Sequence, residues 1–346
     1  MGSQNVTYIG SFPPPYGGVT VKNALLYKRL SSILDLEMVD LTHVKRLEPS
    51  FLYRLARALL SRDGALVIGV SADWRYRLTS ILYLLNKRKM SRSILMVMGG
   101  RSPESTAYAE RMNGYLKVYV ETEGMKRAFE QMGSRNVDIY PNCRERPSTP
   151  VKVSRTDGSI RCVFFSLVSP DKGSRIVLDA AAALPELEFH FYGRVEEGYE
   201  EEFSSAVAAR PNVHYHGVFD SVSGDVVGEL NRYDIHLFPT LCPNEGVPGV
   251  IAETKMAGIP TVASDRSYNG ELVEDGVDGI LTHEDSAEEL VRILSMLSSD
   301  PERVDMMKTA ALESSGQYVI DNYLGRITKD LANLEEEHVD DADLIS

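Results

Sequence analysis

Two glutamates eight residues apart, Glu245 and Glu253, bracket the short stretch Gly246-Val247-Pro248-Gly249. They lie within LFPTLCPNEGVPGVIAETKMAGIPTVASDRSYNGE, residues 237–271. Pro248 suits the first turn of a helix, where a missing N–H costs little. The amides of Gly249, Val250 and Ile251 are then left to meet an anion, and the helix dipole favours one. The glycines let a phosphate approach the backbone. Carboxylates accept well from sugar and ribose hydroxyls. Two carboxylates around an anion-binding helix start therefore suit one ligand with a diphosphate between hydroxyl-bearing rings. Taken alone, the pair reads equally as solvated carboxylates on a surface helix. The glycine context favours ligand contact.

These residues need elements to position them. Val6–Ile9 reads as a short buried strand, Gly10–Gly18 as a Pro/Gly-rich loop, and Val19–Leu34 as a helix with apolar residues at helical spacing. Strand, glycine loop and helix open a doubly wound α/β domain. Strand-like runs follow at Ala65–Val70, Ile94–Met98, Lys117–Val120 and Val137–Tyr140. The Pro-, Ser- and Thr-rich segment 146–158 reads as a linker. The theme then restarts with a strand at Arg161–Leu167, a Ser169–Gly173 loop and a helical stripe through Ile176, Val177, Ala180, Ala181 and Leu184. Later strands are expected at Glu188–Tyr192, Val213–Tyr215, Ile235–Phe238, Pro260–Ala263 and Gly279–Leu281. The expected organisation is a Rossmann-like domain over 1–150, a second over 159–315, a C-terminal helix over 316–338 packing back on the first, and an acidic tail over 339–346. Ligands in such folds bind at the carboxyl ends of the strands, here in a cleft between two domains.

Bulk properties narrow the class. The chain has 346 residues, 43% hydrophobic and 25% charged, ordinary for a globular protein of two domains. No uncharged apolar run approaches the ~18 residues that a membrane span needs. The start, MGSQNVTYIG, lacks the basic and apolar regions of a signal peptide, so a cytoplasmic protein is expected. Cys143, Cys162 and Cys242 form no C-x-x-C pair and read as reduced thiols. The His and acidic residues show no zinc-ligand spacing along the chain, so no metal is expected. His214 and His216 alternate on a strand, one face of which is expected to be core. Net charge is −13, but residues 1–150 carry 22 basic and 13 acidic residues, +9, which leaves −22 for the rest. No nucleic-acid-binding signature accompanies the basic half. Its two basic amphipathic stretches, residues 52–62 and 74–92, read either as solvated helix faces or as a docking surface for an anionic membrane.

The segment around Glu245 and Glu253 resembles the E-x7-E motif of retaining glycosyltransferase family 4, a family of GT-B fold. Four further matches stand in order: SFPPPYGGVT with Gly17 and Gly18, IYPNCRE with Asn142 and Arg144, SPDKG with Lys172, and FYGRVEEGYEEEF with Arg194. The resemblance implies two Rossmann-like domains, the first binding the acceptor and the second a nucleotide sugar. It implies Glu245 by the donor sugar, Glu253 on the ribose and Lys172 on the donor phosphates. It also implies donor contacts from Gly246, Val247, Pro248, Gly249 and Val250, and from the loop at Gly17 and Gly18. Transfer would be metal-independent and would retain the anomeric configuration. No cofactor is implied, since the nucleotide sugar is a substrate; UDP-sugar is favoured and GDP-sugar is second. The acceptor would be a glycan or a lipid-linked molecule, which sets the enzyme on the inner face of the plasma membrane. The chain departs from the family pattern twice. Leu167 stands where the family has a phosphate-binding Arg, and VMGGRSPE has Gly99, Gly100 and Arg101 but no His. Arg194, Arg101 and Arg144 are candidates for the missing charge. The departures motivate one rival, a catalytically silent GT-B subunit that binds a partner. A second rival is a GT-B nucleotide-sugar epimerase or a phosphorylase; the complete E-x7-E context argues against the epimerase, and a phosphorylase would usually be longer.

Overall fold

The computed structural model describes residues 5–14, 17–46, 48–99, 103, 105–153, 156, 159–220, 224–243 and 245–332. The chain forms two compact units, Met1–Glu145 with Val319–Ser346, and Arg146–Tyr318.

The first unit is built on six parallel strands: β1 (Val6–Gly10), β2 (Leu36–Asp40), β3 (Ala65–Val70), β4 (Ile94–Val97), β5 (Lys117–Val120) and β6 (Val137–Ile139). Their order is β2-β1-β3-β4-β5-β6. A parallel sheet covered on both faces reads as continuous apolar runs, and β1, β3 and β4 are buried at every position. β2 was not foreseen. It is an edge strand in which only Val39 is buried, so it carries no apolar run. The first helix spans Gly18–Ser31, shorter than the expected Val19–Leu34 at its far end. Leu26 and Leu30 of that helix join Val6, Tyr8, Ala65, Val67 and Ile94 in one core. Leu324, Ile327 and Leu331 of the helix Asp321–Ala332, with Ile320 just before it, complete that core. The helix is also tied to the strands by Tyr119 Oη donating to Asp330 at 2.6 Å and by Arg326–Asp138 at 3.0 Å. The acidic tail lies outside the described residues.

The second unit has β7 (Arg161–Phe165), β8 (Glu188–Tyr192), β9 (Val213–Tyr215), β10 (Ile235–Phe238), β11 (Thr261–Ser264) and β12 (Gly279–Thr282). They are parallel, in the order β12-β11-β10-β7-β8-β9. The expected strand from Arg161 to Leu167 ends two residues early, at Phe165, where the chain turns toward the end of β8. Apolar side chains cover both faces. One cluster gathers Phe164, Phe189, Phe191 and Leu237 with the helices Ser174–Ala183 and Ala287–Ser298. The other gathers Val163, Tyr192, Leu230, Tyr233 and Ile259. The segment 146–158 belongs to this unit: Thr156 N donates to Asp305 at 2.8 Å, and Asn231 donates to the Lys152 carbonyl at 3.2 Å. No helix among the described residues is long and apolar enough to cross a membrane.

Candidate functional site

The loop after β7 is fixed by its neighbours. Ser166 N donates to the Tyr192 carbonyl at 3.1 Å and Val168 N to the Arg194 carbonyl at 2.9 Å. Two glycines allow this fit. At Gly193 (φ +138°) a Cβ would stand 1.8 Å from Ser166 O, and at Gly173 (φ +81°) it would stand 1.9 Å from Pro239 O. Both positions combine left-handed backbone with a backbone contact that excludes any side chain. The loop is thus wedged between the ends of β8 and β10. Within it a short 3-10 turn, Pro170–Lys172, is capped by Ser169, whose hydroxyl accepts from Lys172 N at 3.3 Å.

This wedge delivers Lys172 to Glu245. The Lys172 ammonium donates to Glu245 Oε2, and the two side chains are 20% and 10% exposed. Thr240 Oγ1, at the end of β10, donates to the same oxygen at 3.0 Å. The Thr240 carbonyl in turn accepts from Ser264 Oγ at 2.7 Å, and Leu241 N donates to the Asp171 carbonyl at 2.8 Å. Sequence reasoning singled out Lys172 and Glu245 from separate segments; the fold brings them into contact. It did not single out Thr240, a threonine at a strand end with no motif of its own.

Past Glu245 and Gly246, Val247 is buried and Pro248 caps the helix Gly249–Met256. The amides of Gly249 and Val250 make no hydrogen bond among the described residues. The Ile251 amide differs from the sequence expectation: it donates to the Pro248 carbonyl at 3.3 Å. Two amides, rather than three, are therefore left at this helix start. Glu253 lies half-buried on the second turn. The opposite side of the helix is anchored in the unit, because Lys255 pairs with buried Asp278 and bonds Ser314 Oγ at 2.8 Å. Thr254 Oγ1 lies 3.1 Å from Thr261 Oγ1 of β11.

Leu167 is half-buried in the loop, and Arg194 is exposed just after β8. The Arg194 side chain makes no ion pair among the described residues, so its charge is uncommitted.

The remaining candidates belong to the first unit. Gly17 is extended (φ −170°), which any residue adopts, and a Cβ at Gly17 or Gly18 would meet nothing within 4 Å. Gly17 is the N-cap of the first helix, a position that suits glycine, and neither glycine is required by packing. Gly99 (φ +90°) donates its amide to Glu121 Oε2 at 3.1 Å. Glu121 is buried and pairs with buried Lys22 at 2.8 Å. Lys22 stands 4.9 Å from the centre of the Tyr140 ring. One buried ion pair thus joins the first helix, the Gly99 turn and the end of β6. Sequence reasoning missed both partners, since a lone Lys on a helix reads as a surface residue. Asn142 is buried and accepts from Arg144 Nη1 at 2.8 Å, and Arg144 also donates to the Cys143 carbonyl at 2.9 Å. Arg144 therefore spends its guanidinium on its own loop. Gly100 and Arg101 lie outside the described residues. Cys143 and Cys162 are buried free thiols, and burial pushes the Cys143 thiol up to about 12.

Residues 159–300 match the family model described as glycosyl transferases group 1. The O-antigen biosynthesis glycosyltransferase WbnH of Escherichia coli is 24% identical over 200 residues, 57% of this chain and 54% of that protein. The chain thus aligns with about half the length of the curated relatives it matches first. Among solved structures, HepE of Anabaena in complex with UDP superposes with a TM-score of 0.70 at 16% identity, covering 95% of this chain and 100% of that one. The lipopolysaccharide outer core galactosyltransferase WaaB, in apo form, gives 0.68 at 15% identity, covering 95% and 99%. With its two parallel six-stranded sheets and these superpositions over nearly the whole chain, the protein has the GT-B fold, and its second unit carries the match to glycosyl transferases group 1.

Proposed function

We propose that the chain is a retaining glycosyltransferase that moves a sugar from a UDP-sugar to a glycan or lipid-linked acceptor in O-antigen or related polysaccharide assembly. The observation that carries this reading is the Lys172–Glu245 pair at the ends of β7 and β10, just ahead of the uncommitted amides of Gly249 and Val250. The match to glycosyl transferases group 1 covers this same region, and the UDP complex of HepE supports a uridine donor over GDP-sugar.

The chemistry follows from charge. When the bond to the leaving nucleoside diphosphate breaks, negative charge grows on the phosphate oxygens. Fixed donors aimed there lower the barrier without having to reorganise. Lys172 and the two amides are such donors, and no metal is needed for that step. Without a ligand, Glu245 and Thr240 keep the Lys172 ammonium in place. With a donor bound, Glu245 faces the sugar and Glu253 accepts from the ribose hydroxyls. Retention then has the acceptor hydroxyl attack on the leaving-group side, with its proton passing to a donor phosphate oxygen.

The test joins UDP calorimetry to a donor screen with a mixed acceptor extract. Glu253→Ala should weaken UDP by about 1–3 kcal/mol, the usual loss for a hydrogen bond to a charged group. Glu245→Gln should lower turnover and leave UDP affinity nearly intact. Absence of nucleotide binding would sink the reading. Tight UDP binding with no transfer from any donor would favour the partner-binding subunit, the rival that Leu167 motivates.

A further inference from the structure

β8 and β9 run parallel with His190 directly opposite His214. Glu188, two positions before His190, lies on the same face of β8, because side chains on a strand alternate. Among the described residues, Glu188, His190 and His214 form a group whose ligand atoms all lie within 4.8 Å of one another. His190 Nε2 is buried and makes no hydrogen bond, although Glu188 Oε2 stands 3.4 Å away. Two donors on a tetrahedral zinc ion, at bonds of about 2.0–2.2 Å, sit roughly 3.3–3.5 Å apart. The other ring nitrogen of His190, Nδ1, is 3.0 Å from His216 Nε2. With His190 Nδ1–H donating to His216 Nε2, His190 Nε2 carries no proton and is left to ligate. The His214 ring stacks on His190 with centroids 4.8 Å apart and planes at 29°. It makes no hydrogen bond among the described residues, so no hydrogen bond holds its ring away from Nε2.

We propose that Glu188, His190 and His214 form a binding site for a divalent transition metal of the zinc class, with His216 holding the second nitrogen of His190 and water completing the shell. Imidazole and carboxylate suit zinc, and three protein ligands with one open position is a known zinc geometry. The ion would fasten β9, a three-residue edge strand, to β8. None of these ligands belongs to the Lys172 loop or to the Gly249 helix start, so the site stands or falls apart from the proposed function. No zinc-ligand spacing along one segment marks these ligands, because they converge from two strands. The core side of β9 is carried by buried Val213, while His214 is half-buried and His216 exposed.

The test uses the full chain without a histidine tag, stripped by a chelator. Zinc is titrated by calorimetry, and Co2+ is titrated while its visible absorbance is followed. About one zinc per chain is expected, with a Tm that rises with zinc because the folded state alone holds the site. The Co2+ band should have the intensity of four- or five-coordination. Glu188→Gln, on an exposed side chain that the fold does not need, should weaken zinc at least tenfold, as should His214→Asn. His216→Asn should cost about 10-fold, as loss of a supporting partner does. His283→Asn, elsewhere on the surface of the unit, should leave the affinity unchanged. Zinc binding weaker than about 1 mM, or equal affinity in the wild type, Glu188→Gln and His214→Asn, overturns the proposal.

Discussion

A buried charge is stabilised by a partner, and buried Lys22, Lys255 and Lys308 each pair with a carboxylate inside the fold, Glu121, Asp278 and Asp234. The first pair is coupled to a candidate ligand turn, because Glu121 also holds the Gly99 amide. Glu121→Ala leaves the Lys22 charge unpaired, and removal of one partner of a buried pair costs about 3–5 kcal/mol. Urea unfolding should show that loss. Lys22→Met with Glu121→Leu should recover most of it, since an apolar replacement of both charges is often neutral. A double variant as unstable as Glu121→Ala would show that packing, not charge, governs the position. At this scale the sequence was legible where chemistry is local. Glu245, Gly249 and Glu253 sit within one strand–loop–helix passage, and Lys172 within one short loop. Lys22 and Glu121 lie 99 residues apart and meet only in the fold. The Glu188–His190–His214 group was missed for the same reason.

Elements decide where those residues go. Central strands such as β3 and β10 are buried at every position, so their apolar runs announce them. β2 is half-exposed at an edge and does not. The loop after β7 was legible as a loop, but its shape depends on Gly173 and Gly193 meeting the backbone of other strands. That shape bears on Leu167. Leu167→Arg adds a cation to the loop that carries Lys172 and should tighten UDP binding by calorimetry. Unchanged or weaker binding would mean that another cation, Arg194 foremost, already serves the phosphates. Burial in β10 has its own consequence. His236 is fully buried, with Nδ1 3.2 Å from Thr261 Oγ1, and burial lowers its pKa to about 3. The folded chain thus refuses a proton that the unfolded chain takes up below about 6.5. Stability from this residue is full above that pH and falls as pH drops toward 3, by up to about 1.4 kcal/mol per unit. His236→Asn should therefore show a flatter decline than the wild type in urea midpoints between about pH 7 and pH 5. Parallel declines would assign the acid sensitivity to other groups.

On the scale of the whole chain, charge is the dominant asymmetry. Residues 1–150 carry +9 and the rest −22. The basic stretches expected to meet a membrane are the helices Pro49–Leu60, Ala72–Leu85 and Lys87–Ser91. The structure removes two of their cations from that role. Arg75 is buried against the Phe129 ring, and Lys89 is buried with its ammonium on Ser61 Oγ at 3.0 Å. Arg54, Arg57, Arg77, Lys87 and Arg88 remain exposed. So do Leu84, Leu85 and Tyr53, at 74%, 68% and 67%. Exposed leucines and tyrosines among exposed cations are what an interfacial membrane contact uses, apolar groups entering the headgroup layer while cations meet anionic lipid. Each cation near the surface contributes about 1 kcal/mol, and salt screens it beyond about 10 Å at 0.1 M. Co-sedimentation with anionic vesicles should therefore pellet the chain at low salt, less at high salt, and little with neutral vesicles. Leu84→Ser with Leu85→Ser should weaken pelleting without altering its salt dependence, whereas Lys87→Gln with Arg88→Gln should weaken both. Equal, negligible pelleting with both lipids at low salt would leave these helices as solvated basic faces.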